Sequence, residues 1–194
     1  MELGRRHSVN WRQRTSLWAG CLRCEAWCLV VIDGSRIVMT KQAFMQRAVT
    51  LALEKMRANS GGPFGAVIVR NNRIISEGWN EVTSSNDPTA HAEIVAIRRA
   101  CALLGAFNLP DCDIYTSCEP CPMCLGAIYW ARLRRVYYAN TRIEAAQIGF
   151  DDGFIYGEVA QVPELRRIPH LRLMTDDAQA AFNEWAASPE KTRY

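Results

Sequence analysis

With 194 residues, 49% of them apolar and 22% charged, the chain suits one domain with a real core and is short for two. It contains no run of 18 uncharged apolar residues, which excludes a membrane-spanning helix. Six arginines against three acids in residues 1–38 supply the whole net charge of +3. Residues 39–194 balance at 17 charges of each sign, which argues against a grip on a long nucleic acid, although "RLRR" at 132–135 is a local basic run.

Residues 1–38 differ in style from the rest. They hold three of the six tryptophans and three of the eight cysteines. Arg5 and Arg6 before an apolar stretch imitate a secretion signal, but Arg23 and Glu25 interrupt that stretch and no small-x-small site follows. Cys21 and Cys24 form a C-x-x-C that no second pair completes. The expectation is an upstream extension, poorly ordered, from a misplaced start codon, with the working domain at 39–194.

From residue 41 the pattern becomes regular. Phe44, Ala48, Leu51 and Ala52 recur at helical spacing over 41–57, and "NSGG" ends that helix. Two strands, 64–70 and 73–79, flank Asn71-Asn72, a hairpin signal. "SSNDP" reads as a loop, 90–105 as a helix closed by Gly105, 112–117 as a strand, 121–132 as a helix and 135–139 as a strand. A short helix at 141–147, turn-rich "GFDDGFIYG" and a last helix at 176–188 complete the chain. This order predicts an α/β protein, a three-layer α/β/α sandwich around a central mixed sheet.

The chemistry concentrates at two predicted helix starts. "HAE" places His91 and Glu93 at one, and "PCPMC" places Cys121 and Cys124 at the other. Cysteines three apart face the same way on a helix, and the positive end of the helix dipole favours thiolates. One imidazole and two thiolates suit Zn²⁺ and leave its fourth position open for water, as in a catalytic site. Glu93 need not be a ligand; it is placed to take a proton from that water and pass it to substrate. H-x-E with P-C-x-x-C is the signature of the zinc nucleobase deaminases. Cys118 is the complication: as a fourth ligand it would close the site and make a non-catalytic, zinc-stabilised binding module. Its place at a strand end favours a buried thiol. Cys101 and Cys112 read as core fillers. The closely spaced cysteines suit metal chemistry in a reducing cytoplasm better than a disulfide framework.

From about Lys41 to Tyr194 the sequence resembles the cytidine-deaminase-like superfamily and, within it, the bacterial guanine deaminases of the Bacillus type. "DPTAHAEI" and the "EPCPMCLGA" run are shared with transfer-RNA adenosine deaminases, so they imply deamination without choosing the base. "GGPFGAVIV", "NEVTSSNDPTAHAE", "CLGAIYWAR", "AAQIGFDDGFIYGE" and the closing tyrosine look like guanine deaminase. The resemblance implies hydrolysis of guanine to xanthine and ammonia, with zinc held by His91, Cys121 and Cys124 and protons carried by Glu93. It further implies that Asn80 bonds the purine edge, Phe64 packs on the ring and Trp130 forms a wall. Asp152, or its neighbour Asp151, accepts from the ring N–H. Tyr194 is implied to cover the site from a partner chain, in a homodimer that exchanges C-terminal segments. A transfer-RNA adenosine deaminase, or a deaminase of cytosine, another aminopurine or a triazine, is the alternative.

Overall fold

The structure, a computed structural model, describes the backbone of residues 30–33 and 36–193, and side chains from residue 39 onward except 175 and 176. Strands β1 (Val30–Asp33) and β2 (Arg36–Met39) pair antiparallel with each other, so the paired strands reach into the stretch read as an extension. The rest of that stretch, and Tyr194, lie outside the described residues.

Thr40 accepts the N–H of Ala43 at 3.2 Å and starts helix α1 (Lys41–Arg57). Strands β3 (Gly65–Arg70) and β4 (Arg73–Trp79) form the expected hairpin. Asn71 and Asn72 take φ of 48° and 61°, the left-handed pair that a two-residue turn of this hand requires. Helix α2 (Val82–Ser85) is a single turn that runs into the start of the stretch read as loop. Helix α3 (Ala92–Leu104) ends at Gly105, whose φ is 60°. Strand β5 (Cys112–Cys118), helix α4 (Pro122–Trp130), strand β6 (Arg135–Asn140) and helix α5 (Arg142–Gln147) follow. Thr141 and Glu144 build a capping box at the start of α5. Helix α6 (Gly153–Ala160) occupies the stretch expected to be turns, and α7 (Thr175–Ala187) closes the described chain.

The main sheet has the order β4-β3-β5-β6, with β3 antiparallel to both neighbours and β5 parallel to β6. Alternate side chains separate two cores. Val67, Val69 and Tyr115 meet Phe44, Ala48 and Leu51 of α1 on one face. Ala66, Ile68 and Ile114 meet Ala92, Ala96 and Ala100 of α3 and Ile128 of α4 on the other. Each fully buried side chain such as Phe44, Leu51 or Ile68 contributes about 1.5–3 kcal/mol. The result is the three-layer α/β/α sandwich with a mixed sheet.

This topology locates the site. Strands β4, β5 and β6 run the same way, opposite to β3, so their C-terminal ends and the start of β3 share one edge of the sheet. The starts of α3 and α4 and the loop before β3 therefore converge there. Gly78 lets them close up: a Cβ on it would fall 2.2 Å from the carbonyl oxygen of Ala92 and 2.5 Å from the nitrogen of Ala96. Only glycine allows the first turn of α3 to lie so near β4.

Candidate active site

His91 and Cys121 are the N-caps of α3 and α4, extended residues just before the first helical turn, and neither side chain caps its own helix. Both are thus free to point off the helix ends. Nδ1 of His91 lies 3.6 Å from Sγ of Cys121 and 3.5 Å from Sγ of Cys124. All three ligand atoms fall within 4.8 Å of one another. A tetrahedral Zn²⁺, with bonds of about 2.0–2.1 Å to nitrogen and 2.3 Å to sulfur, separates its ligand atoms by about 3.5–3.8 Å. The trio fits that ion in both spacing and donor chemistry. A hydrogen bond from Cys124, against the effect of burial, holds the Cys121 thiol down at about 4, while the same bond raises Cys124. The hydrogen bond with Cys121 in turn raises His91. A divalent ion takes the place of the proton shared by such a thiol pair.

Glu93 is 6% exposed. Its Oε1 accepts from the hydroxyl of Thr116 at 3.0 Å, and its Oε2 lies 3.5 Å from Sγ of Cys124. Burial raises its carboxyl above the ordinary value, which suits a group that must hold and release a proton near neutrality. Cys118 stands apart from the three-residue cluster: its thiol donates to the carbonyl of Thr141 at 3.7 Å, and burial pushes it up to about 11. It remains a protonated thiol facing the cavity.

His91, Glu93 and Cys121 open into a cavity of about 560 Å³. Phe64, Asn80 and Asp152 line it as well, as do Phe150, Ile155 and Arg142, which the sequence did not single out. Phe150 meets Phe64 edge to face at 4.8 Å between centroids, so the aromatic wall is a pair. Oδ1 of Asn80 accepts the N–H of Gly62 at 3.2 Å and of Val82 at 3.4 Å, which fixes the amide and commits its oxygen. The amide's NH₂ is the group left to serve the cavity. Gly61, at φ 150°, passes directly over Asn80, whose carbonyl oxygen a Cβ there would meet at 1.7 Å.

The two aspartates are not equivalent. Oδ1 of Asp151 accepts the N–H of Gly153 at 2.8 Å. Asp152, the N-cap of α6, makes no side-chain capping bond, and burial raises its carboxyl, with the Cys121 thiolate adding to the effect. Tyr156 of α6 donates to the carbonyl of Pro120 at 3.3 Å, tying the helix that begins after Asp152 to the loop before Cys121. Trp130, implied as a wall, stands away from the cavity of its own chain. It ends α4 with 67% of its surface exposed and is not among the residues around the cavity. Helix α4 runs away from the site, so its last residue stands about 9 residues, or roughly 13 Å of helix rise, from Cys121.

An imidazole and two thiolates at paired helix starts, with a buried carboxylate beside them and an open cavity in front, define a zinc-dependent hydrolytic deaminase. Residues 38–140 match the family described as the cytidine and deoxycytidylate deaminase zinc-binding region, and the chain belongs to that family, with Zn²⁺ as its cofactor. The chain is 54% identical over 156 residues to the guanine deaminase of Bacillus subtilis (strain 168), covering 80% of this chain and 100% of that protein. The crystal structure of the Bacillus subtilis enzyme superimposes with a TM-score of 0.78 over 80% of this chain and 99% of its own. A guanine deaminase from Nitrosomonas europaea gives a TM-score of 0.57 at 33% identity, over 61% of this chain and 68% of that one. A tRNA-specific adenosine deaminase from Agrobacterium fabrum is 45% identical over 98 residues, 48% of this chain and 64% of that protein.

Proposed function

We propose that this protein is a guanine deaminase, converting guanine and water to xanthine and ammonia. The observation that carries the choice of base is the carboxylate of Asp152, uncapped, partly desolvated and facing the cavity. Guanine offers it a ring N–H beside the amino group, whereas adenine offers a lone pair there. An unpaired buried acceptor costs about 1–3 kcal/mol, so the site favours guanine.

His91, Cys121 and Cys124 hold the zinc. When bound, Zn²⁺ supplies an acidified water, bringing its pKa from about 15.7 toward about 7. The remaining work falls to the side chains. Glu93 accepts a proton from the attacking water and gives it to the ring nitrogen next to C2. It then carries the second proton to the 2-amino group, which leaves as ammonia as C2=O forms. Asn80 donates its NH₂ to an acceptor on the purine edge, and Asp152 accepts from the ring N–H. Phe64 and Phe150 hold the flat ring in place by contact and exclude water.

The domain boundary proposed is 39–194, with 1–38 an extension. A homodimer that exchanges C-terminal segments, bringing Tyr194 over the partner's cavity, is supported by the apolar surface of the last third of the chain. Leu165, Ile168, Leu171, Leu173 and Phe182 are each at least 70% exposed, more apolar surface than a monomer ordinarily presents. No described helix is long and apolar enough to cross a membrane. Among the described residues Cys101, Cys112, Cys118, Cys121 and Cys124 form no disulfide, which suits the reducing cytoplasm in which we place the protein.

Incubating the zinc-loaded protein with guanine, adenine, cytosine and an anticodon stem-loop tests the assignment. Guanine should give xanthine and one ammonia per turnover. Release of ammonia from the stem-loop alone would overturn the choice of base.

A further inference from the structure

The two oxygens of Glu93 sit in different surroundings. Oε1 points back into the sheet, where the hydroxyl of Thr116 on β5 donates to it at 3.0 Å. Thr116 is 1% exposed and belongs to the strand behind the site rather than to the cavity wall. Oε2 lies on the side of the metal ligands, where the thiol of Cys124 donates to it at 3.5 Å; as a zinc-bound thiolate Cys124 would have no such proton to give, which leaves Oε2 to the reacting groups. A threonine hydroxyl has one proton to give, and this one goes to Oε1.

We propose that Thr116 is a positioning residue that anchors the Glu93 carboxylate from behind and turns Oε2 toward the reacting groups. By donating to Oε1 it reserves Oε2 for the transfer between water and purine, and it fixes the rotation of the carboxylate plane. This rests on Glu93 being the proton carrier of the proposed deamination. The step itself stays balanced: the first proton taken from water through Oε2 goes to the ring nitrogen, and the second, taken from the new hydroxyl on C2, goes to the departing amine. Thr116 neither gains nor loses a proton over the cycle.

Thr116→Val removes the hydroxyl and keeps the shape. Groups that orient a reacting side chain from behind typically cost 10–100-fold when removed. With guanine, kcat should fall about 10–100-fold, while KM and the zinc content remain near wild type. The solvent deuterium isotope effect on kcat should grow, because the proton transfer becomes the slower step. Thr116→Ser, which restores the hydroxyl, should recover most of kcat. If Thr116→Val does not fold, Thr116→Ser against Thr116→Ala supplies the comparison, since those two differ in the hydroxyl alone. A hydroxyl-free variant with kcat within twofold of wild type overturns the proposal, as does a Thr116→Ser that loses as much as Thr116→Val. Glu93→Gln, run beside them, separates the two levels. If it is inactive and Thr116→Val is not, Glu93 keeps its role and Thr116 loses this one; wild type that leaves guanine unchanged removes both.

Discussion

Asp151 turns its carboxylate onto the N–H of Gly153 at 2.8 Å, and its neighbour Asp152 caps nothing. Both line the cavity, but the first aspartate is committed to the turn, while the second makes no capping bond. Asp152→Asn should therefore lower kcat/KM for guanine by about 5–150-fold, the equivalent of 1–3 kcal/mol for a lost charged acceptor. Its melting temperature should stay within a degree or two of wild type. Asp151→Asn should do less to turnover, and what it does should follow from loosening the turn. Steady-state kinetics and thermal melts on the two variants check this, and equal kinetic losses would count against the distinction.

Glu93→Gln keeps the shape and the hydrogen bond from Thr116 but cannot ferry a proton. Turnover should drop by about 10²–10⁴, the usual weight of general acid–base catalysis. Metal analysis should still find one zinc per chain, because Glu93 stands beside the ligand trio rather than in it.

Gly78→Ala probes the fold under the site. The added Cβ would meet Ala92's carbonyl oxygen at 2.2 Å and the nitrogen of Ala96 at 2.5 Å, both backbone atoms that cannot swing aside. The first turn of α3, with Glu93 on it and His91 just before it, must shift. Stability should fall by about 1–3 kcal/mol or more, as for other overpacked sites. A competition assay with a chelating dye should also show weaker zinc retention. A variant that melts and holds zinc like wild type would contradict the packing described.

An acid-sensitive tie joins α1 to β4. Arg47 pairs with Glu77 at 2.7 Å through both guanidinium and carboxylate arms. The hydrogen bonds from Arg47 hold the Glu77 carboxyl below its ordinary value of 4.5. A carboxyl lowered on folding stabilises the protein above its unfolded pKa, and that contribution is lost as pH falls through the folded value. The pair is partly exposed, so it contributes on the order of 1 kcal/mol or less. Arg47→Ala should melt below wild type at pH 7, and the gap should shrink as pH drops from 4.5. Denaturation curves across that range measure it.

Much of this was legible in the sequence, and what was not has physical reasons. Asn71-Asn72 announced the hairpin because asparagine tolerates the left-handed turn. His91, Glu93, Cys121 and Cys124 announced the site because thiolate and imidazole at helix starts have few other uses together. Helix α6 was hidden. Its Asp-Asp-Gly start looks like a turn, Gly157 interrupts it, and none of its residues is buried, so no apolar stripe marks it. Trp130 was expected as a wall from the resemblance alone; in its own chain it ends α4 and is exposed. Thr116 belongs to no motif: its partner is 23 positions away, and only the stacking of α3 on β5 brings them together.

In the proposed centre one imidazole and two sulfurs grip the metal while a fourth position stays open. X-ray absorption at the zinc edge of the purified protein reads this directly. Two sulfurs at about 2.3 Å and lighter neighbours at about 2.0–2.1 Å are the expected result. Three sulfurs, the third being Cys118, would mean a closed structural centre with no room for the reacting water.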